Sequence, residues 1–119
     1  MDYDDAMALL ERRRAAWLQQ DVDTYLSLFS EDFVSSDGVE QISGLSEWAE
    51  VVRRSDERAS PIGWEFHAVA VDGSKILAEY TFTVEPKGTG VQRSVHGMSI
   101  SEVRDGVFTS HRDYRWPVN

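Results

Sequence analysis

Residues 91–116, VQRSVHGMSISEVRDGVFTSHRDYRW, decide the fold, because apolar and polar side chains alternate on both sides of Asp105-Gly106, the dipeptide of a tight hairpin. The spacing predicts antiparallel strands over 91–103 and 107–116. Upstream, the same period of two runs over 64–71 and 76–85. Asp72-Gly73 suits a second tight hairpin, and Pro86-Lys87-Gly88-Thr89-Gly90 makes a looser turn between the middle strands. Four antiparallel strands therefore fill the chain beyond Gly63.

The first half reads as helical. From Asp4 to Gln20 the apolar positions Met7, Leu10, Trp17 and Leu18 follow helical spacing, with Ala6, Leu9, Ala15 and Ala16 alongside and Glu11 to Arg14 on the wet side. Asp21 interrupts and can cap a second helix, whose Val22, Tyr25 and Phe29 fall at i, i+3 and i+7. Phe33-Val34 reads as a short strand before the turn-rich Ser35-Ser36-Asp37-Gly38. A third helix follows Gly44, with Leu45, Trp48 and Val52 on one face and Arg53-Arg54 in its last turn. Ser60-Pro61-Ile62-Gly63 closes the helical half. Three helices followed by a meander make an α+β layout in which the helices must cover the apolar face of the sheet.

At 119 residues the chain fits one domain, 1–119, and four Trp, four Tyr and five Phe give it large faces to bury. With no cysteine, thiol chemistry and disulfides are excluded, and a reducing, cytoplasmic setting is expected. The acidic start Met1-Asp2-Tyr3-Asp4-Asp5 is unlike a signal peptide, and no stretch approaches the ~20 apolar residues of a membrane span. A formal charge of −9 opposes binding to nucleic acid or an anionic membrane, since both require a Lys/Arg footprint.

Asp21 between the first helices, Leu28-Phe29 followed by Glu31-Asp32-Phe33, Gly44 before the third helix, and Asp105-Gly106 leading to His111-Arg112-Asp113-Tyr114 form an ordered set spanning nearly the whole chain. In this set the sequence resembles SnoaL-like proteins of the nuclear transport factor 2-like superfamily, whose relatives include polyketide cyclases, limonene epoxide hydrolase and ketosteroid isomerase. The resemblance implies a cone of three N-terminal helices on a curved, mostly antiparallel sheet, enclosing an apolar pocket into which a carboxylate on the last strand projects. Asp113 matches that carboxylate.

Strand parity then sets Thr109, His111 and Arg115 inside with Asp113, and Phe108, Ser110, Arg112, Tyr114 and Trp116 outside. The same pattern puts Ala78, Tyr80, Phe82 and Val84 inside, and offers Arg93, Val95, Gly97, Ser99 and Ser101 on the strand after. Trp17, Tyr25, Phe29 and Trp48 would close the pocket from the helical side. The Arg and Asp that limonene epoxide hydrolase carries two apart are replaced here by Tyr80 and Phe82, and its water-holding Tyr/Asn pair corresponds roughly to Ser35 and Asp37. Asp37 also lies near where ketosteroid isomerase keeps its general base.

A carboxylate in an apolar pocket has its charged form disfavoured, so Asp113 is expected to have a raised pKa and to exchange a proton near neutrality. The alternative is that Arg115, Arg93 or Arg112 holds it ionised and that it merely ties the sheet together. His111, two residues away on the same face, is either its proton-transfer partner or a cross-strand hydrogen-bonding group. Tyr80 and Tyr25 could steady an enolate or simply add buried area, and Asp37 could be catalytic or only cap its turn. Trp17, Phe29, Trp48, Phe82 and Val95 read as wall around an apolar small-molecule ligand. Arg93 and Arg115, with His111, would equally fit recognition of a ligand carboxylate. His67 and His96 fall on the outer face, and the three histidines lack metal-ligand spacing, so no metal and no cofactor are expected. The reaction implied is cyclisation, isomerisation or hydration by acid–base chemistry. The other reading is a non-catalytic binding or scaffold protein. Met98, Ile100, Phe108, Tyr114 and Trp116 on the outward face imply a homodimer, as the resemblance also does.

Overall fold

The computed structural model describes residues 1–116, so the last residues of the expected 1–119 domain lie outside the described range. Helices α1 (Tyr3–Leu18), α2 (Val22–Leu26) and α3 (Leu45–Arg58) pack against one sheet. Its strands are β1 (Phe29–Ser36), β2 (Gln41–Ser43), β3 (Ala59–Asp72), β4 (Lys75–Pro86), β5 (Arg93–Arg104) and β6 (Val107–Trp116), in the order β2-β1-β6-β5-β4-β3. Every neighbouring pair is antiparallel except β1 with β6, which run parallel. The α+β class, the N-terminal helices and the mostly antiparallel sheet are those expected. Among the described residues no helix is long and apolar enough to cross a membrane.

α1 starts where Asp2 accepts a hydrogen bond from the Asp5 amide at 2.8 Å, and Asp4 and Asp5 place negative charge in its first turn. Its buried stripe is Ala6, Leu9, Leu10, Arg13 and Ala16. Arg13 is therefore not on the wet side as expected: it stands three residues past Leu10 and four past Leu9, in phase with the core face. Asp21 caps α2 by accepting from the Thr24 amide at 3.2 Å. That helix stops at Leu26, and Phe29 opens β1 instead of extending the helix. α3 runs on past Arg53-Arg54 to Arg58, and residues 60–63 belong to β3.

The β5–β6 turn holds Asp105 and Gly106 at φ 54° and 79°, the left-handed pair that a two-residue hairpin requires. The preceding hairpin turns on Gly73-Ser74, one residue later than expected, since Asp72 still pairs with Lys75. A β-bulge decides the face of β6. Ser110 lies opposite Glu102 but Phe108 opposite Val103, so Thr109 is an extra, unpaired residue. The extra residue reverses the alternation, and Phe108 turns inward, fully buried, instead of outward. There it joins Phe29, whose ring centroid lies 5.5 Å from it, 4.7 Å from Phe33 and 5.6 Å from Trp48. Such edge and tilted pairs each contribute about 0.5–1.5 kcal/mol beyond the area they bury.

Candidate functional site

On the inner face of the sheet the middle of strand β5 carries three small residues in succession, Gly97, Ser99 and Ser101, and this lack of bulk leaves room for a cavity. β4 sends in Tyr80, Phe82 and Val84; β6 sends in His111, Asp113 and Arg115. Tyr80 and Arg115 both pair across Gly97, and Asp113 lies opposite Ser99. A methyl group on Gly97 would stand 2.7 Å from the Tyr80 hydroxyl, so only glycine lets that ring lie over β5 and reach β6. The helices close the space with Arg13, Trp17, Tyr25 and Trp48, and β3 adds Trp64. The cavity holds about 330 Å³.

Asp113, 7% exposed, is the convergence point of a hydrogen-bonded chain. Tyr80 donates its hydroxyl to Oδ1 at 2.7 Å, His111 Nε2 lies 2.6 Å from Oδ2, and Arg115 Nη2 donates to Oδ2 at 3.4 Å. Arg115 Nε also donates to the Tyr80 hydroxyl at 3.2 Å. On the far side of His111, Arg13 Nη1 lies 3.3 Å from Nδ1, and Arg13 Nε donates to the Tyr25 hydroxyl at 3.1 Å.

These contacts favour the second of the two readings of Asp113. Burial works to raise the Asp113 pKa, but the hydrogen bond from His111, the Arg115 charge and the Tyr80 hydroxyl outweigh it and hold the carboxyl well below the usual carboxylate range. Three converging donors favour the ionised carboxylate over a proton-holding acid. Burial, then the Asp113 charge and hydrogen bond, push the Tyr80 phenol up to about 12, so it remains a donor. Burial and the Arg13 charge lower the His111 pKa against the pull of Asp113.

Both shifts make the fold acid-sensitive. Because folded His111 binds its proton less readily than the unfolded chain does, stability falls as pH drops below about 6.5. The depressed Asp113 stabilises fully above its unfolded value of about 3.9, and that contribution is lost as pH falls through and below about 4. Urea unfolding at about pH 7, 5.5 and 4 should show midpoints decreasing in that order. A midpoint that stays level across this range contradicts the assignment of His111, whose window it spans.

Of the other candidates, Trp17, Tyr25, Trp48, Phe82 and Asp37 reach the cavity lining. Asp37 sits at its mouth, where Oδ1 accepts from the Val39 and Glu40 amides at 2.9 and 2.8 Å; these bonds lower its pKa and tie it to the turn. Three candidates lie elsewhere. Phe29 is in the core beneath the cavity. Arg93 has the expected parity, pairing with Val84, but among the described residues β6 reaches only to the position opposite His96, and Arg93 is exposed. Val95, opposite Phe82, is half-buried short of the lining. An Arg93–Arg115–His111 cluster is therefore not assembled. His67 and His96 meet on the Thr81 hydroxyl, away from the cavity residues.

Sequence reasoning missed Arg13 and Trp64. The helical phase of α1 carried a signal for Arg13, which charge alone obscured. Trp64 was legible as the inward partner of Phe82 once the β3–β4 register is known.

Residues 10–111 match the model of the SnoaL-like domain family. The chain belongs to that family. The match ends at His111, so Asp113 and Arg115 of this SnoaL-like protein lie just past it. Among curated proteins, none matches the sequence significantly. Solved structures of the same fold include an LEH-like epoxide hydrolase from M. tuberculosis, 25% identical with a TM-score of 0.83, covering 95% of this chain and 84% of that one. A candidate polyketide cyclase from Xanthomonas campestris is 20% identical with a TM-score of 0.75, covering 93% and 90% of the two chains. A protein of ketosteroid isomerase-like fold from Catenulispora acidiphila, solved with trimethylamine, is 18% identical with a TM-score of 0.77, covering 89% and 83%.

Proposed function

We propose that this SnoaL-like protein is an acid–base enzyme of the cyclase, isomerase or hydrolase kind, working without a cofactor on an apolar cyclic or polyketide-like substrate. The observation that carries this reading is a buried, ionised carboxylate on the floor of an aromatic-walled cavity, with a partly exposed guanidinium beside it. A base next to a fixed positive charge is what proton removal beside a carbonyl requires. Asp113 takes the proton from carbon, and Arg115 steadies the oxygen on which negative charge develops. The same pair would serve hydration, with Asp113 taking a proton from water and Arg115 polarising the oxygen under attack. Three donors weaken Asp113 as a base, whereas an apolar ligand that displaces water from the cavity strengthens it. Asp37, Glu40 and Asp56 at the lining favour a neutral ligand over an anionic one.

Incubation with a panel of cyclic ketones and epoxides in D₂O, followed by NMR, tests the reading. Deuterium entering beside a carbonyl marks the isomerase or cyclase kind, and diol formation marks the hydrolase kind. Tight binding with neither would favour the second reading, a binding protein, for which the Arg115–Asp113 contact at 3.4 Å is the supporting observation.

We further propose pairing of two copies through the outer sheet face, where Met98, Tyr114 and Trp116 are 40%, 52% and 47% exposed. Sedimentation at micromolar concentration should show a dimer that Tyr114→Arg dissociates. A monomer at every concentration would end this proposal.

A further inference from the structure

Arg13 is 6% exposed, yet among the described residues no carboxylate lies within ion-pair distance of it. Its guanidinium instead sits 5.0–5.7 Å from the ring centroids of Tyr25, Phe29, Trp64 and Phe108. Two of its nitrogens have directed partners: Nε on the Tyr25 hydroxyl and Nη1 on His111 Nδ1.

A guanidinium offers donors only and keeps its charge in any protein environment. For Arg13 to hydrogen-bond His111, the Nδ1 atom must therefore be the acceptor and carry no proton. The imidazole proton then resides on Nε2, 2.6 Å from Asp113 Oδ2, to which it is donated. Protonating Nδ1 would set two N–H groups and two positive charges against each other in a buried space. We propose that Arg13 is a positioning residue that fixes His111 as the neutral Nε2–H tautomer and, through it, orients the Asp113 carboxylate in the cavity.

The groups around His111 agree with this. Arg13 faces it from α1, backed by Tyr25 of α2, while α3 presents the uncharged Trp48 ring at 6.1 Å. β1 and β5 place Ser35 and Ser101 opposite it in register, and Phe33 packs edge-on at 5.8 Å. From β6 come Asp113 and Arg115, and from β4 Tyr80, beyond Asp113. Asp113 is the one anion in this set, and it takes the Nε2 proton. With both ring nitrogens engaged, His111 orients Asp113 instead of exchanging protons itself. A neutral imidazole also depresses the basicity of Asp113 less than an imidazolium would.

The effect on turnover rests on the proton-transfer reading of the cavity; the tautomer does not. Two-bond ¹H–¹⁵N correlation spectra of the ¹⁵N-labelled full chain between about pH 5 and 8 test it directly. Wild type should show His111 as the Nε2–H tautomer, remaining neutral to the acid end. Arg13→Met removes donor and charge, so Nδ1 is free to take a proton: an imidazolium should appear toward the acid end and the titration should move up toward the ordinary ~6.5, while Nε2 keeps the proton it donates to Asp113. Arg13→Lys, which keeps a cationic donor facing Nδ1, should return the neutral ring at the acid end. An Nδ1–H tautomer or an imidazolium in the wild type at neutral pH overturns the proposal even if Arg13→Met does not fold. So does an Arg13→Met spectrum identical to wild type. Absence of turnover on every substrate would leave these spectra as expected, which separates failure of the catalytic reading from failure of this one.

Discussion

Asp113→Asn is expected to lower turnover by about 10²–10⁴-fold, the usual contribution of a positioned proton-transfer group. The amide is nearly the same size and its one oxygen can still accept up to two hydrogen bonds, so the cavity walls and the affinity for an apolar ligand should survive. What it loses is the charge, the second strong acceptor and the capacity to take a proton. Tyr80, His111 and Arg115 now converge on Asp113 from 2.7, 2.6 and 3.4 Å, and an amide cannot accept from all three. One N–H of the new side chain must face a donor. That mismatch should cost roughly 1–3 kcal/mol of stability, readable as a lowered urea midpoint at unchanged slope. Turnover at the wild-type rate in a folded Asp113→Asn variant would remove Asp113 from the chemistry.

Phe108→Ala should be the most destabilising single substitution on β6, at about 3–5 kcal/mol. The ring is fully buried and packs on Phe29, with the Arg13 guanidinium 5.3 Å from its centroid. Its removal opens a void at the junction of β1 and β6, where the parallel pairing has its own irregularity between Phe29 and Val34. Simple alternation along β6 puts Phe108 on the outer face, where truncation would change stability by less than about 0.5 kcal/mol. Chemical denaturation of this one variant therefore distinguishes the bulged strand from a regular one.

On β6, Phe108 and Thr109 misled the sequence reading for one cause. Periodicity is legible only while the element stays regular, and one unpaired residue at Thr109 changes the face of every position on its far side. Within the regular stretch from His111 to Arg115, and along β4 from Ala78 to Val84, alternation placed the inward side chains correctly, and the central residues of the site follow from it. Arg13 was hidden differently. It lies on the buried phase of α1 set by Leu9 and Leu10, but burial of an Arg depends on aromatic rings from α2, β1, β3 and β6, which no local pattern records. The parallel β1–β6 pairing is likewise a long-range fact, invisible in a chain whose other strands meet through hairpins or turns. The direction of the Asp113 pKa was beyond parity altogether. It depends on Tyr80 reaching over Gly97, on His111 presenting the right nitrogen, and on Arg115 folding back along its own strand.

The central claim is that Asp113 is a carboxylate clamped in its ionised form inside the cavity, and a ¹³C NMR pH titration of its carboxyl carbon tests that most directly. A single transition is expected well below the ordinary value of about 3.9, shifting upward when an apolar ligand fills the cavity. A carboxyl that titrates above that value in the empty protein would contradict it, and with it the chain of donors from Arg13 through His111 to Asp113.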